Sequence, residues 1–299
     1  MTDHEFGGQH TEIKLSIVEG YLKSYATALR PKFKELWYID AFAGTGARTV
    51  RTERRGADLV EQPIEESVER RRGSAQIALD VTPQFDFLVF VEKNPNYANA
   101  LRDLSAKRLQ RQVFVAEDDA NNALKSLVSA NSWNDKRAVV FLDPYGMEVE
   151  WSTLKSLAST EAIDVWFLFP LAGLYRQATR RLVDIDQSKR HALTRIFGSS
   201  SWEEELYPIS AEPDMFGVLP ERRRELNPSG LEQYVQRRLS EIFGHVLKPL
   251  ALPVGKHPQM FSLFLCISNR TPEAIGLASR IGNHLLDPKR HIIVGSALK

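Results

Sequence analysis

A short apolar stretch that runs into a glycine turn, at residues 36–46, constrains the fold of this chain most strongly. It reads Leu-Trp-Tyr-Ile-Asp-Ala-Phe-Ala-Gly-Thr-Gly, a pattern typical of a buried strand followed by a tight, ligand-facing turn. Gly44 and Gly46 allow close approach to a ligand, because glycine has no Cβ and tolerates positive φ. Asp40 would stand at the carboxyl end of the strand, where open α/β sheets bind ligands. A purely structural turn is the alternative.

Four further apolar runs follow the turn, and helical or linking segments separate them. They lie at residues 85–91, 112–116, 138–142 and 163–169. Strands that alternate with helical segments predict a parallel sheet covered by helices on both faces. The continuous apolarity of 163–169 fits a strand that is buried on both faces. The predicted fold class is therefore α/β, with a Rossmann-like, doubly wound, mostly parallel sheet in a single domain over residues 1–299.

Apolar residues at helical spacing predict several helices around this sheet. Lys14 and Lys23 fall on the first of them, and long basic side chains on a helix are normally solvated, so both are predicted to be solvated. The predicted helices are 11–29, 73–79, 96–109, 231–243 and 272–285, with a late strand at 261–267 and a short final strand at 291–294.

Two segments interrupt the pattern. Residues 47–72 mix arginines with carboxylates and form an arginine-rich insertion, interpreted as either a solvated loop or a lid that handles substrate. Residues of approximately 171–250 are expected to form a helical and loop insertion before the late strands, with 199–228 as a loop. Arginines at 176, 180 and 181 follow the fifth strand closely. They are interpreted either as solvated side chains or as residues that contact phosphate.

Carboxylates follow the other strands as well. Glu92 ends the second strand, where an acid can accept hydrogen bonds from ribose hydroxyls, although a surface glutamate would look the same. Asp119 follows the third strand and could meet an adenine amino group or cap the next helix. Asp143 opens an Asp-Pro-Tyr-Gly phrase after the fourth strand, where the proline fixes an extended backbone. The ring of Tyr145 could stack on a flat substrate such as a base.

Composition narrows the classes of function. A formal net charge of +1 means that the molecule as a whole does not attract nucleic acid or membrane, although a local patch could. The single cysteine, Cys266, lies in an apolar run, cannot form an internal disulfide and fits a reducing, cytoplasmic setting. No stretch reaches the length of a membrane span, and the start of the chain lacks the order of a signal peptide. Phosphate-loop, zinc-helix and nucleophile-elbow motifs are missing and the histidines show no ligand spacing, so no metal is predicted.

The series of strand-end residues resembles the class I S-adenosylmethionine-dependent methyltransferases. Thr49 stands where the third glycine of a dinucleotide fingerprint would fall, which counts against a nicotinamide or flavin ligand. The resemblance implies that the glycine turn faces the methionine moiety, that the second-strand acid holds the ribose and that the third-strand acid meets the adenine. The end of the fourth strand would lie by the methyl group. The matching residues are Asp40, Ala43, Gly44, Gly46, Glu92, Asp119 and Asp143-Pro144-Tyr145.

More closely, the chain resembles the three-Cys-motif partner protein family, TcmP, over about residues 11–281. Thr45 replaces the proline common in that turn, and the arginine-rich insertion is longer than the family pattern, which leaves substrate handling open. The matching phrases are His10-Thr11 with Lys14, the run 38–46, Gly73-Ser74, Phe90-Val91-Glu92-Lys93, Asp119-Ala120-Asn121, the run 141–146, Trp151, the strand 163–170 and Arg176.

The resemblance implies S-adenosylmethionine as the cofactor and, from the family's name, a partner protein of the three-Cys-motif type. Asp40 would contact the cofactor's ammonium, and Asp143 would orient an acceptor amine or hydroxyl with help from Tyr145. The Asp-Pro-Tyr phrase lacks one proline of the Asn/Asp-Pro-Pro-Tyr/Phe motif of amino methyltransferases, which weakens the case for a nucleobase amine. The predicted function is a methyltransferase whose acceptor the sequence does not identify, with nucleic acid as one candidate. The alternatives are a non-catalytic partner protein that keeps the fold and a nucleic-acid-binding factor that uses the arginine segments.

Overall fold

The computed structural model of the chain describes residues 9–53, 66–108, 111–209, 221–255 and 258–294. The strands in these ranges are β1 (Glu35–Asp40), β2 (Ala47–Glu53), β3 (Glu66–Arg72), β4 (Phe87–Val91), β5 (Gln112–Ala116), β6 (Lys136–Leu142), β7 (Ile163–Phe169), β8 (His245–Val246), β9 (Leu250–Leu252) and β10 (Phe261–Ile267). The helices are α1 (Gln9–Leu29), α2 (Ser74–Asp80), α3 (Pro95–Ala106), α4 (Ala120–Ala130), α5 (Trp151–Ser159), α6 (Leu171–Gln177), α7 (Gln187–Phe197), α8 (Trp202–Leu206), α9 (Pro228–Ser240), α10 (Pro272–Leu285) and α11 (Pro288–Val294). A 3₁₀ turn spans Leu182–Asp184.

The central sheet has the order β5-β4-β1-β6-β7-β10-β8, and β9 also pairs with β10. Strands β5, β4, β1, β6 and β7 are parallel, whereas β10 runs antiparallel to β7. Numbered by their place in the chain, the parallel strands follow the order 3-2-1-4-5 of a doubly wound sheet. The order in which the chain adds strands reverses between β1 and β6, which are themselves parallel. This topology confirms the predicted fold class.

Alternate residues of each strand enter two separate cores, one on each face of the sheet. In β1, Ile39 belongs to the core that also contains residues of α4, α5, α7 and α9, whereas Tyr38 belongs to the core that contains residues of α1, α2 and α10. The cause is the two-residue repeat of a strand, which sends neighbouring side chains to opposite faces. All seven residues of β7 are buried, as its continuous apolarity predicted. Helices therefore cover both faces, and ligand access is left to the edges of the sheet.

The arginine-rich insertion is not a plain loop. Strands β2 and β3 pair antiparallel, from Ala47 opposite Arg72 to Glu53 opposite Glu66, and residues 54–65 lie outside the described ranges. The residues Thr49, Val50 and Thr52 are β-branched and favour extended backbone. The loop prediction missed this because it relied on the number of apolar positions. The lid interpretation stays a prediction.

Two other predictions about the second half of the chain were wrong. Residues 291–294 belong to helix α11 rather than to a strand, and Pro288 at its first position favours a helix start. The predicted loop 199–228 contains α8, whose Trp202 is fully buried, and the adjacent Tyr207 is also fully buried. Residues 210–220 are outside the described ranges. The division into one domain with insertions at 47–72 and approximately 171–250 stays a prediction.

None of the helices in the described ranges combines the length and the apolarity needed to cross a lipid bilayer.

Candidate functional site

The carboxyl ends of three neighbouring parallel strands bring three acidic side chains to one edge of the sheet. Strand β1 lies between β4 and β6, and Asp40 is level with Phe90 and Phe141 on its two neighbours. Glu92 follows β4 directly and Asp143 follows β6 directly. This edge includes the point where the sheet reverses its strand order, which is where doubly wound folds bind ligands.

The glycine turn after β1 presents two glycines with different surroundings. Gly44 has φ +58° and Gly46 has φ +71°, so both adopt the left-handed conformation that favours glycine. A Cβ placed on Gly44 would meet nothing within 4 Å, whereas one on Gly46 would lie 2.7 Å from Leu104 Cδ2. The amide of Ala43 donates to the carbonyl of Val91 at 3.1 Å and anchors the turn to β4. Gly44 therefore faces open space, and Gly46 is required by packing against α3.

The carboxylate of Glu92 is buried and joins the glycine turn to the start of α3. Its Oε2 accepts from the amide of Gly44 at 3.0 Å, and its Oε1 accepts from the amide of Asn94 at 2.8 Å. Each carboxylate oxygen has two lone pairs, so acceptor capacity is left on both oxygens. The structure thus places an anchored hydrogen-bond acceptor beside the open side of Gly44.

Asp119 caps helix α4. Its Oδ1 accepts from the amides of Asn121 at 2.9 Å and Asn122 at 3.3 Å, as is usual for an aspartate before a helix. Capping was one of the two interpretations of this residue. Contact with an adenine stays a prediction.

Asp143 forms an ion pair with Lys14 of α1. The prediction that Lys14 is solvated was wrong, because its side chain is only 10% exposed and its Nζ lies 5.9 Å from the Phe141 ring centroid. The sequence did contain a signal, since Ile17 and Val18 stand three and four residues further on and lie on the same buried face of α1. Lys23 is exposed and pairs with a carboxylate of its own helix, as predicted.

Asp40 is fully buried and only partly satisfied. Its Oδ1 accepts from the amide of Phe42 at 3.3 Å, while its Oδ2 has no hydrogen-bond partner within the described ranges. Burial raises the pKa of Asp40 to about 7; the Ser74 hydroxyl offsets part of this effect and the charge of Asp143 adds to it. The nearby Tyr38 hydroxyl is also buried and interacts with Asp40 without a well-formed hydrogen bond, and burial, followed by the charge of Asp40, raises its pKa further above 10. Leaving such a group unpaired costs about 1–3 kcal/mol.

The start of α1 and the start of β10 border the same edge. The His10 ring stacks on Phe261 with centroids 6.1 Å apart. Burial and the charge of Lys14 lower the pKa of His10, and Asp143 opposes them. Tyr145 is 68% exposed; partial burial and the charge of Glu92 raise its pKa. Sequence reasoning did not include Lys14, His10 or Tyr38 in the site.

The described part of the chain contains no group of three His, Cys, Asp or Glu side chains placed to hold a metal ion. Carboxylate, hydroxyl, amide and ammonium groups make up the site. They can bind polar and cationic parts of a ligand.

No protein-family model matches the chain, and no curated protein matches it. Among solved structures, a Legionella pneumophila protein of family DUF519 is 16% identical with a TM-score of 0.47, covering 91% of this chain and 92% of its own. The putative methyltransferase YhhF from Escherichia coli is 14% identical with a TM-score of 0.31, covering 51% and 69%. The plantazolicin methyltransferase BpumL in complex with SAH is 10% identical with a TM-score of 0.31, covering 86% and 85%. These values are too low to establish a family or an activity, and the fold class rests on the strand order.

Proposed function

We propose that the protein is an S-adenosylmethionine-dependent methyltransferase of the TcmP type, with a three-Cys-motif protein as its partner. One observation carries the enzymatic part of the proposal. At the reversal point of the sheet, the open side of Gly44 adjoins the Glu92 carboxylate, and Asp40 of the same β1 turn keeps a buried oxygen unpaired. Doubly wound sheets bind nucleotide-like ligands at this point.

The residues present fit this cofactor. Glu92 keeps acceptor capacity for the two ribose hydroxyls, and the unpaired Oδ2 of Asp40 can accept from the ammonium of the methionine moiety. Ala43 and Gly44 would line that moiety, because no side chain of the turn fills the space in front of Gly44. Gly46 would act indirectly by letting the turn pack against α3. Asp119 is assigned to the adenine on the resemblance alone.

The chain's own groups would then handle the acceptor. When bound, S-adenosylmethionine supplies a methyl group whose carbon–sulfur bond breaks, with the electron pair left on sulfur, as the acceptor's lone pair forms the new bond. Asp143 orients the acceptor's N–H or O–H and takes the proton that is released. Lys14 acts as a positioning residue, because its ion pair fixes the Asp143 carboxylate at the end of β6. Alignment of this kind accounts for a large share of the rate in displacement reactions.

Calorimetry with S-adenosylmethionine and with S-adenosylhomocysteine tests the cofactor assignment. We expect heat of binding and a raised melting temperature for the parent protein, since a ligand of the native state stabilises it by mass action. Glu92→Ala should weaken binding most, because it leaves the ribose hydroxyls without acceptors. Glu117→Ala is the matched control, since Glu117 is an exposed strand-end acid that pairs with Arg102. Absence of heat together with an unchanged melting temperature in the parent would refute the assignment.

A further inference from the structure

Three exposed tyrosine rings lie on elements that directly follow parallel strands, at the edge of the sheet where the candidate site lies. Tyr97 on α3 is 40% exposed, Tyr145 in the β6–α5 loop is 68% exposed and Tyr175 on α6 is 45% exposed. The strands before them belong to the run β4-β1-β6-β7, so the strand ends that lead to the three rings span roughly 15 Å at normal strand spacing. Within the described ranges, Phe114 on β5 is the other exposed ring among the Phe, Tyr and Trp side chains. Exposed aromatic rings concentrated at one edge indicate a binding surface.

The loop that carries Tyr145 is held in place. A Cβ on Gly173 of α6 would lie 3.7 Å from Met147 Cγ, so the loop and α6 are in close contact. Arg195 of α7 donates to the carbonyl of Met147 at 2.9 Å. The loop that carries Tyr145 is therefore anchored to both α6 and α7.

Cationic side chains border the surface at its β7 end. The guanidinium of Arg224 lies 4.6 Å from the Tyr175 ring centroid and donates to the carbonyl of Ala178 at 2.8 Å. Arg176 and Arg180 are exposed, and neither has an ion-pair partner within the described ranges. Arg181, in contrast, is neutralised by Glu221 at 2.6 Å. Arg176 and Arg180, which have no ion-pair partner in the described ranges, are thus close to Tyr175 in the sequence.

The opposite end of the surface is acidic. Asp118 and Asp119 follow β5 and are exposed, whereas the neighbouring Glu117 is paired with Arg102 at 3.2 Å. A polyanion would be repelled from that end and attracted to α6. The charges would therefore orient a bound polyanion. Its phosphates would lie over α6, and its bases would lie on the rings between α6 and Asp143.

We infer that this surface binds single-stranded nucleic acid and presents an unpaired base to Asp143 as the methyl acceptor. Aromatic rings stack on the faces of all four bases, and arginines contact the phosphates between them. A duplex keeps its bases stacked inside, so its bases cannot lie against these rings. The inference rests on the proposed function, because the base would receive the methyl group.

Fluorescence anisotropy with a fluorescein-labelled single-stranded RNA of 12 nucleotides and mixed sequence tests the surface. S-adenosylhomocysteine is included at saturation, and the same strand annealed to its complement is the comparison. We expect the single strand to bind more tightly than the duplex. Two phosphate contacts predict a slope of about −1.4 for log K against log salt. In Arg176→Gln/Arg180→Gln the slope should approach zero.

The tyrosines are tested one at a time. Tyr175→Ala and Tyr97→Ala should each weaken binding about 5- to 150-fold, the range for loss of one stacked base. Phe114→Ala and Arg280→Gln are matched controls, since Phe114 is exposed on β5 and Arg280 is exposed on α10. Both controls should bind RNA as the parent does. Equal losses in Tyr175→Ala and Phe114→Ala would overturn the inference, and so would tighter binding of the duplex.

Calorimetry with S-adenosylhomocysteine on the same preparations separates this inference from the proposed function. Heat of binding without any RNA binding would overturn the inference and leave the proposed function intact. RNA binding without heat would refute the proposed function and, with it, the role of the base as acceptor. With tritiated S-adenosylmethionine and mixed cell fractions, label in RNA or DNA supports the inference. Label confined to protein overturns it.

Discussion

Two buried aspartates at opposite ends of the sheet have different surroundings. Asp164, near the amino end of β7, accepts from the Tyr21 hydroxyl at 2.9 Å and from the backbone amide of Ser268. Asp40, at the carboxyl end of β1, has one oxygen with no partner in the described ranges. Burial raises the pKa of Asp164 to about 6, and it raises the pKa of Asp40 to about 7. The better-paired carboxylate thus has the smaller shift.

The amino end also contains a cavity of about 640 Å³, lined by Tyr25, Leu29 and Ile281 among others. Its volume lies in the range of ligand pockets. Some of the polar groups along it are paired within the protein, since the Tyr25 hydroxyl donates to the carbonyl of Ala138 at 3.2 Å and the Tyr21 hydroxyl donates to Asp164 at 2.9 Å. The two ends therefore differ in pairing, since Asp40 has an oxygen with no partner in the described ranges, whereas the Tyr21 and Tyr25 hydroxyls at the amino end are paired.

The largest effect is expected from Lys14→Met. The change removes the ion pair that fixes Asp143 and should lower kcat for methyl transfer by about 100-fold, as small errors in alignment do. KM for S-adenosylmethionine should change little, because Lys14 is assigned to Asp143 and not to the cofactor. Lys23→Met, on the exposed face of the same helix, should leave kcat unchanged. A rise in KM with unchanged kcat would contradict the positioning role.

Neutralising the two aspartates tests the comparison directly. A carboxyl group whose folded pKa lies above its unfolded value of about 3.9 stabilises the fold at low pH and loses that contribution as pH rises through the folded pKa. From pH 5 to pH 8, Asp40 should therefore remove on the order of 2 kcal/mol from the free energy of unfolding, and Asp164 about half as much. Asp40→Asn should flatten the pH dependence of urea unfolding more than Asp164→Asn does.

At pH 8 the Asp40→Asn variant should be at least as stable as the parent, and its binding of S-adenosylmethionine should be weaker. A variant that is both less stable and unaltered in cofactor binding would indicate that Asp40 is structural. The buried aspartates at the two ends of the sheet, Asp40 and Asp164, would then differ only in how far their pKa values are raised.

The last prediction concerns the two glycines of the turn. Gly46→Ala should destabilise the fold by about 1–3 kcal/mol, because the new methyl group overlaps Leu104 in a packed core. Gly44→Ala should cost only about 1 kcal/mol, from the positive φ, since open space surrounds it. Cofactor binding, corrected for the fraction of folded protein, should be weakened more by Gly44→Ala than by Gly46→Ala. Equal melting temperatures for the two variants would remove the distinction between a packing glycine and a ligand-facing glycine.

Much of the site's framework could be predicted from local sequence. Apolar runs defined the parallel strands, and the rule that ligands bind at carboxyl ends brought Asp40, Glu92 and Asp143 to one edge. The ion pair of Lys14 could not be found in this way, because 129 residues separate its partners. It depends on how α1 packs on the sheet. Whether a buried oxygen is paired likewise depends on several elements at once, so sequence pattern did not reveal the unpaired Oδ2 of Asp40.

The docking of α1 also has a consequence for biosynthesis. This helix is translated before every other described element, yet its buried face shares a core with β10 and α10, which are translated among the last. Until those elements leave the ribosome, Ile17, Val18 and Leu22 lack part of the surface that covers them in the finished protein. We expect β1, β4 and β6, with the acidic residues at their ends, to be synthesised well before Lys14 forms its ion pair with Asp143. The order of translation would then place formation of the Lys14–Asp143 ion pair after the synthesis of β10 and α10.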